Sequence, residues 1–391
     1  MKYNFDKVID RSGTSAEKVE GLKHIWGRTD LIPLWVADMD FATAPFVTDA
    51  IRKRCENEVL GYTGKPDSYY NAIINWVKQR YDLVVAKEMI NFVPGIVPGI
   101  GMAMNCFTQK GDKVMIQPPV YHPFAWVTTR NERTLVTNPL KWENGMYRMD
   151  LDTFREQIKG CKLFILCNPH NPGGVVWTEA ELRAIADICY DEKVLVFSDE
   201  IHADLTLPPH THRPFATVSE KARMNSVTFM SPSKAFNMPG LSASHALIFN
   251  EDLRKRFRIY MDAGELDMGH VFAFLSVEAA YSHGTEWLDQ CLAYIQGNID
   301  FVDDFLKNHA PKIKAIRPEA SYLVWLDCRE LELSQKDLNE FFVDKAHLAL
   351  NDGEMFGKEG IGFMRLNVAS PRCIIEKAMK QLADAYQLYI K

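Results

Sequence analysis

Short apolar runs rich in Val, Ile, Leu and Phe recur through the middle of the chain and predict buried strands. Between two of these runs, residues 178–191 open with a Thr and carry a Glu three residues later, which predicts a capped helix with one apolar face. Strands that alternate with helices predict an α/β domain with a largely parallel sheet. The predicted strands are KVMIQ at 113–117, KLFILC at 162–167, KVLVFS at 193–198, SVTFM at 226–230 and SHALIF at 244–249.

The two ends of the chain show a different pattern. Residues 252–308 hold long helical patterns, and residues 312–391 follow the order strand, strand, helix, strand, helix. This mixture predicts a smaller α+β domain, beside which the first forty residues, with little periodicity, are expected to pack. Within it, 321–328 and 362–369 are predicted strands and 333–346 is a predicted helix.

Composition narrows the class of protein but not its chemistry. The 391 residues are 47% hydrophobic and 25% charged, as in ordinary globular proteins, and the net charge of −6 disfavours a nucleic-acid binder. The eight cysteines form no Cys-x-x-Cys pair, which favours a reducing compartment. The chain starts without an apolar signal segment and has no run long enough to cross a bilayer. We therefore expect a cytoplasmic protein without membrane or nucleic-acid partners.

Chemically active side chains follow three of the predicted strands. An amide lies in 168–174 (NPHNPGG), a carboxylate in 199–202 (DEIH) and an amine in 231–237 (SPSKAFN). The ends of parallel strands form the ligand site of an open α/β sheet. Residues 93–99 (VPGIVPG) precede a predicted helix at 100–107, whose N-terminus offers an anion site. Pyridoxal phosphate requires this set, because a lysine holds its aldehyde, a carboxylate its pyridine nitrogen, and a cradle its phosphate.

The same segments carry a family resemblance that covers nearly the whole chain. The sequence resembles the fold-type I pyridoxal-phosphate enzymes of the class I/II aminotransferase superfamily, and more narrowly their MalY/PatB-like cystathionine β-lyase (C–S lyase) branch. The motifs, in the family's order, are IPLWVADMDF at 32–41, GYTG at 61–64, PPVYHPF at 118–124, CNPHNPGG at 167–174, VWTEAEL at 176–182, SDEIHADL at 198–205, SPSKAFNMPGL at 231–241 and GFMRLNVASPR at 362–372.

The resemblance implies the PLP-dependent transferase-like fold, an α/β fold with two domains. The large cofactor-binding domain, with a mostly parallel sheet, is expected over residues 45–285. The small α+β domain is expected from residues 1–44 and 286–391. The resemblance also implies a homodimer with shared active sites.

The resemblance assigns the cofactor ring to five residues. Lys234 is implied to bind the aldehyde as an imine and then to move the substrate α-proton. Asp199 is implied to pair with the pyridinium nitrogen, and Asn171 to donate to the phenolate oxygen with His202 close by. Tyr121 is implied to stack on the ring and to border the substrate.

Neutral groups are implied to bind the phosphate. They are the backbone amides of Gly95, Ile96 and Val97 and the hydroxyls of Ser231 and Ser233. Many aminotransferases of this superfamily have an arginine eight residues after the cofactor lysine, where this chain has a serine. The C–S lyase branch lacks that arginine as well, so the departure favours the branch.

Three further residues complete the implied site. Tyr62 would reach the phosphate in the neighbouring subunit, Arg365 would bind the substrate α-carboxylate through its planar fork, and Ala37 would line the carboxylate site through its backbone. No metal site is expected, although residues 208–212 (PPHTH) hold two histidines, because no Cys or carboxylate stands beside them at ligand spacing.

Three functions remain open at this point. The branch implies α,β-elimination of cystathionine or cysteine-type amino acids to pyruvate, ammonia and a thiol. The alternative is an aminotransferase that passes the amino group to a 2-oxo acid, since the same residues serve both reactions. A third hypothesis is a protein that keeps the fold and binds a regulatory partner, against which the complete set of Lys234, Asp199 and Arg365 argues.

Overall fold

The computed structural model describes residues 2–390. Its helices are α1 (Glu17–Trp26), α2 (Pro45–Cys55), α3 (Asp67–Tyr81), α4 (Ile96–Phe107), α5 (Pro123–Arg130), α6 (Leu151–Gln157), α7 (Glu179–Asp191), α8 (Glu220–Met224), α9 (Glu251–Ala263), α10 (Val271–His283), α11 (Thr285–His309), α12 (Gln335–Glu340) and α13 (Arg372–Tyr389). Its strands are β1 (Ile32–Pro33), β2 (Ile90–Val93), β3 (Lys113–Ile116), β4 (Thr134–Thr137), β5 (Lys141–Glu143), β6 (Met146–Arg148), β7 (Cys161–Cys167), β8 (Leu195–Asp199), β9 (Ser226–Met230), β10 (Ser244–Leu247), β11 (Lys314–Ile316), β12 (Leu323–Asp327), β13 (Leu348–Ala349), β14 (Asn351–Asp352) and β15 (Phe363–Asn367).

A seven-stranded sheet forms the centre of the fold. Its strand order is β2-β10-β9-β8-β7-β3-β4. The pairs from β9 through β4 are parallel, and β10 runs antiparallel to both of its neighbours. Helices cover both faces, so the central strands are buried almost throughout. The predicted α/β class with a mostly parallel sheet is confirmed.

The central elements lie close to their predicted positions. The strand predicted at 226–230 is β9, and the other predicted strands differ from the observed ones by at most two residues at either end. Helix α7 begins after Thr178, whose hydroxyl accepts from the Glu181 amide while the Glu181 carboxylate accepts from the Thr178 amide. Helix α4 starts four residues before the predicted start, because a proline such as Pro98 is tolerated in a first helical turn.

A second, antiparallel sheet has the order β11-β12-β15-β14. Its two longest strands, β12 and β15, match the predicted strands. Where a helix is predicted at 333–346, the observed helix starts two residues later. It consists of α12 followed by a π-helical turn over Phe341–Lys345. The two-residue strands β13 and β14 were not predicted, because so short a pairing leaves no alternating pattern.

The N-terminal residues contain a helix that the pattern did not reveal. The buried positions of α1 are Lys18, Gly21 and Leu22, so its inner face includes a lysine and a glycine instead of an apolar stripe. The following strand β1 pairs in parallel with β13, and the two form a sheet of their own directly before β14 of the small sheet.

The division into residues 45–285 against 1–44 and 286–391 stays a prediction. Every strand of the central sheet lies between residues 90 and 247, and every strand of the small sheet between 314 and 367. Helix α11, 25 residues long, leads from one to the other. Within residues 2–390, no helix combines the length and apolarity needed to span a membrane.

Candidate active site

Ten of the predicted site residues line one cavity of about 210 Å³ at the carboxyl ends of the central strands. Two larger clefts, of about 780 and 940 Å³, open on the surface, but the predicted strand-end residues lie together in the smaller cavity. The ten residues are Ala37, Gly95, Ile96, Val97, Tyr121, Asn171, Asp199, His202, Ser233 and Lys234.

Lys234 follows β9 and extends its amine into the cavity. Its Nζ donates to the backbone carbonyl oxygen of Ala37 at 2.5 Å. Removal from water lowers the pKa of Lys234 to about 8, and the charge of Arg365 acts in the same direction, while Asp38 and Asp199 oppose it. A lysine with this pKa supplies a neutral, nucleophilic amine much nearer to neutral pH than an exposed lysine does.

Asp199 is the last residue of β8 and is 4% exposed. It accepts a hydrogen bond of 3.1 Å from the Ile201 amide, and no cation within residues 2–390 lies at ion-pair distance from it. Burial raises the pKa of Asp199 to about 7, and Glu200 adds to the rise. A buried carboxylate without a protein counter-ion suits a cationic ligand atom such as a protonated ring nitrogen.

His202 lies beside Asp199 in the same wall of the cavity. Burial lowers its pKa to about 3, so the ring is neutral at physiological pH. Its Nδ1 is buried and has no hydrogen-bond partner in the described part of the chain. An orphaned buried nitrogen of this kind is available to a ligand in the cavity.

Another part of the cavity lining presents neutral donors. Gly95 caps α4, so the first amides of this helix face the cavity through Gly95, Ile96 and Val97. Ser242 and Ser244 line the cavity together with Ser233. No sequence motif indicates a role for these two serines, of which Ser242 occupies the position eight residues after Lys234.

Two predicted phosphate ligands are not brought to this cavity. The Ser231 hydroxyl donates to the Ala243 carbonyl at 2.7 Å and accepts from the Ser233 amide at 3.1 Å. These two bonds hold the turn that carries Lys234, and the phosphate contact of Ser231 stays a prediction. Tyr62 is 98% exposed and lies away from the cavity of its own chain.

Arg365 lies on β15 and is 3% exposed. Its guanidinium donates to Asn171 Oδ1 at 3.0 Å and to Asn351 Oδ1 at 2.6 Å, and it lies 4.9 Å from the ring centre of Phe356. It also donates to the carbonyl oxygen of Trp35 at 3.2 Å. No carboxylate lies within ion-pair distance in the described residues, and Nε has no partner there. Such a buried cation is suited to an external carboxylate.

Asn351 was missed by the sequence analysis. It stands on β14 directly opposite Arg365 on β15, a cross-strand pairing that no spacing in the sequence indicates. Ala37 lines the cavity, and its backbone carbonyl accepts from Lys234 and from the Tyr322 hydroxyl, the latter at 2.9 Å, while its role in the carboxylate site stays a prediction.

The cavity has counterparts in known proteins. The sequence model of the family described as "Aminotransferase class I and II" matches residues 29–382. The chain belongs to this family. It is 38% identical to cystathionine beta-lyase PatB of Bacillus subtilis (strain 168), over 98% of this chain and 99% of that protein. It is 31% identical to protein MalY of Escherichia coli (strain K12), over 98% of each chain.

A solved structure of a family relative supports the same comparison. Cystalysin from Treponema denticola, solved with a pyridoxal 5'-phosphate cofactor, superposes with a TM-score of 0.96 at 33% identity, covering 100% of each chain. The residues present here fit that cofactor. Asp199 is a buried carboxylate without a counter-ion, Lys234 supplies the amine, and the N-terminus of α4 with its neighbouring serines supplies neutral donors for a phosphate.

His212, one of the two histidines of residues 208–212, forms a buried pair with a carboxylate. His212 Nε2 lies 2.8 Å from Glu200 Oε2, and both side chains are buried. The other carboxylate oxygen of Glu200 accepts from the Ser198 hydroxyl and the Phe215 amide, both at 2.8 Å. The contact between His212 and Glu200 therefore holds residues 208–212 against the end of β8. In the described residues, no three His, Cys, Asp or Glu side chains group as a metal site would require.

Proposed function

We propose that the protein is a PLP-dependent C–S lyase that converts cystathionine or cysteine-type amino acids to pyruvate, ammonia and a thiol by α,β-elimination. The proposal is carried by the observation that an amine (Lys234) and a buried carboxylate without a counter-ion (Asp199) line one cavity. A buried cation, Arg365, donates a hydrogen bond to Asn171 in the lining of the same cavity. Relatives named cystathionine beta-lyase, which match nearly the whole chain, support the lyase reaction over others of the family.

The two ends of an amino-acid substrate are bound by different groups. Arg365 binds the α-carboxylate, and the contacts of its guanidinium with Asn171 and Asn351 set the direction of its remaining donors. Asn171 uses its Oδ1 for Arg365 and keeps its amide nitrogen for the cofactor. Substrate and cofactor are thus oriented by one connected set of hydrogen bonds.

The cofactor, when bound, withdraws electrons from the substrate α-carbon and makes its proton acidic. Asp199 keeps the ring nitrogen protonated, because a carboxylate in this buried place is stabilised by a cationic partner. Nζ of Lys234 accepts the α-proton, for which a pKa near the working pH is favourable. The C–S bond then breaks and the thiolate leaves with the electron pair. Overall, one water is consumed for each thiol, pyruvate and ammonia released.

The deciding experiment measures pyruvate release with and without an added 2-oxo acid. Purified protein supplied with pyridoxal phosphate should release pyruvate and a thiol from cystathionine in equal amounts, without any amino acceptor. Alanine, which has no leaving group on its β-carbon, is the matched control substrate, and Lys234→Ala is the control enzyme. Turnover that depends on the acceptor would instead establish the aminotransferase alternative.

We also propose a homodimer with shared active sites, in the cytoplasm. Tyr62 lies in an exposed segment in which Val59 and Leu60 are also exposed, and exposed apolar segments mark interfaces. In this arrangement Tyr62 reaches the cofactor phosphate of the partner subunit. All eight cysteines are unpaired, which supports a reducing compartment.

A further inference from the structure

A loop that follows β1, residues 35–41, touches two site residues through its backbone. The Trp35 carbonyl accepts from Arg365 Nη2 at 3.2 Å, and the Ala37 carbonyl accepts from Lys234 Nζ at 2.5 Å. Both acceptors are backbone atoms, so the path of the 35–41 loop decides where they lie. Any group that holds this loop therefore acts on the orientation of both cations.

Two cations from the preceding segment hold the 35–41 loop. Arg11 binds Asp38 through two parallel hydrogen bonds of 2.6 and 3.1 Å, and reaches Asp40 at 3.2 Å. Lys18 binds the second carboxylate oxygen of Asp40 at 2.8 Å and lies 3.6 Å from Asp38. We name these four residues the anchor cluster.

The anchor cluster is balanced in charge and mostly buried. It holds two cations and two anions, and the Lys18 side chain has no exposed surface. Removing one member leaves the mostly buried cluster with an unbalanced charge, which is costly. A further contact joins the same pieces, because Trp35 Nε1 donates to the Lys18 carbonyl at 3.0 Å. The N-terminal segment is therefore fastened to the loop by directed, charge-assisted bonds.

The small sheet holds the other side of the loop. Asn367, at the end of β15, donates from its amide nitrogen to the carbonyls of Val36 at 2.7 Å and Asp38 at 2.6 Å. Asn367 is two residues from Arg365 on the same strand. The loop thus lies between the anchor cluster and the strand that carries the carboxylate-binding arginine.

We propose that Arg11 and Lys18 are positioning residues that hold the 35–41 loop against Arg365 and Lys234 and thereby set the affinity for the substrate α-carboxylate. The inference rests on the proposed function, in which Arg365 binds that carboxylate. Neither residue lines the cavity that holds Lys234. They bind Asp38 and Asp40 and so fix the path of the 35–41 loop. That path determines where the carbonyls of Trp35 and Ala37 lie.

The test compares Arg11→Gln with Arg28→Gln in the holoenzyme. Arg28 is a matched control, because its side chain is 26% exposed against 24% for Arg11 and it also bridges two aspartates, Asp30 and Asp344, but it does not contact the 35–41 loop. Binding of L-alanine is followed by the absorbance of the bound cofactor, KM and kcat are measured with cystathionine, and thermal unfolding is recorded for each variant.

Arg11→Gln should weaken L-alanine binding and raise KM about tenfold, the loss expected for one charge-assisted contact, while kcat falls less than about threefold. Arg28→Gln should change the affinity for L-alanine by no more than about twofold relative to the unsubstituted protein. It should lower the unfolding temperature by an amount similar to that caused by Arg11→Gln. Arg11→Lys, which keeps the cation but not the two parallel bonds, should weaken binding less than Arg11→Gln.

Equal L-alanine affinity in Arg11→Gln and Arg28→Gln would overturn the inference and leave the proposed function intact. Equal weakening in Arg11→Lys and Arg11→Gln would overturn the role of the charge. Failure of the unsubstituted holoenzyme to release pyruvate from cystathionine would overturn the proposed function, and this inference with it.

Discussion

Nζ of Lys234 donates to the carbonyl oxygen of Ala37 at 2.5 Å, and no carboxylate in residues 2–390 lies within ion-pair distance of it. The partner of this amine is therefore a neutral acceptor in a site that excludes most water. An ammonium group is less favourable there than in water, which explains the lowered pKa of about 8.

The first prediction concerns the pH dependence of cofactor uptake. Only the neutral amine attacks an aldehyde, so the rate at which cofactor-free protein binds pyridoxal phosphate should rise roughly fiftyfold between about pH 6 and pH 8, and change only about twofold above it. Absorbance of the bound cofactor measures this rate. Lys234→Ala should show no such absorbance, whereas Lys162→Ala, at an exposed position of β7, should behave like the unsubstituted protein. A rate that still rises steeply at about pH 10 would contradict the prediction.

The second prediction concerns the stability of the cofactor-free protein. The pKa of Asp199 is raised to about 7 in the folded chain, from an ordinary value of 3.8. The folded state then binds more protons than the unfolded state between these values, so this carboxyl makes the free energy of unfolding fall as the pH rises through that window. Asp199→Asn should therefore stabilise the cofactor-free protein at about pH 8, by on the order of 1–3 kcal/mol, and by less at about pH 5.

Thermal unfolding at both pH values measures this effect, and Asp262→Asn serves as an exposed control. The same Asp199→Asn substitution should weaken cofactor retention and lower lyase activity, because the ring nitrogen loses its anionic partner. Equal stability of Asp199→Asn and the unsubstituted protein at the two pH values would show that the carboxyl is not held at a raised pKa.

The third prediction tests shared active sites by complementation. Lys234→Ala and Tyr62→Phe should each be impaired, Tyr62→Phe most visibly at limiting cofactor. In a hybrid dimer, one site combines the intact Lys234 of one subunit with the intact Tyr62 of the other. After subunit exchange at equal amounts, about half of the dimers are hybrids with one native site of two, so activity should approach about a quarter of the unsubstituted value. Activity equal to the mean of the two separate variants would contradict a shared site.

The fourth prediction concerns the turn that carries Asn171. A methyl group at Gly174 would lie 2.5 Å from Cβ and 2.8 Å from Cα of Pro318, and Gly174 has a φ of +69°. Gly160 has a similar φ of +76°, but a methyl group there meets nothing within 4 Å. Gly160→Ala should cost about 1 kcal/mol for the left-handed backbone alone. Gly174→Ala should lower the free energy of unfolding by roughly a further 1–3 kcal/mol, because the added methyl group forces two chain segments apart. Denaturant unfolding measures both free energies. Equal values for Gly174→Ala and Gly160→Ala would show that the structure accommodates the methyl group at Gly174 without loss of stability.

The sequence alone predicted five of the seven strands of the central sheet, all except β2 and β4, and most of the residues that line the candidate cofactor cavity. Continuous apolar runs identify buried strands, and β9 lies at the predicted residues. Because the carboxyl ends of such strands meet at one edge, Asn171, Asp199 and Lys234 were expected together, and they line one cavity. The family motifs added the individual roles, which the spacing by itself does not distinguish.

Other features were decided only by tertiary structure. Helix α1 escaped prediction because a buried lysine and glycine replace the apolar stripe, and Lys18 is buried only because Asp38 and Asp40 meet it. The partner of Arg365 on β14 and the turn of the Ala37 carbonyl toward Lys234 likewise depend on segments far apart in the chain. Hydrophobic periodicity records which residues leave water, but a charged or backbone group becomes a site only where its distant partner is placed within hydrogen-bond distance.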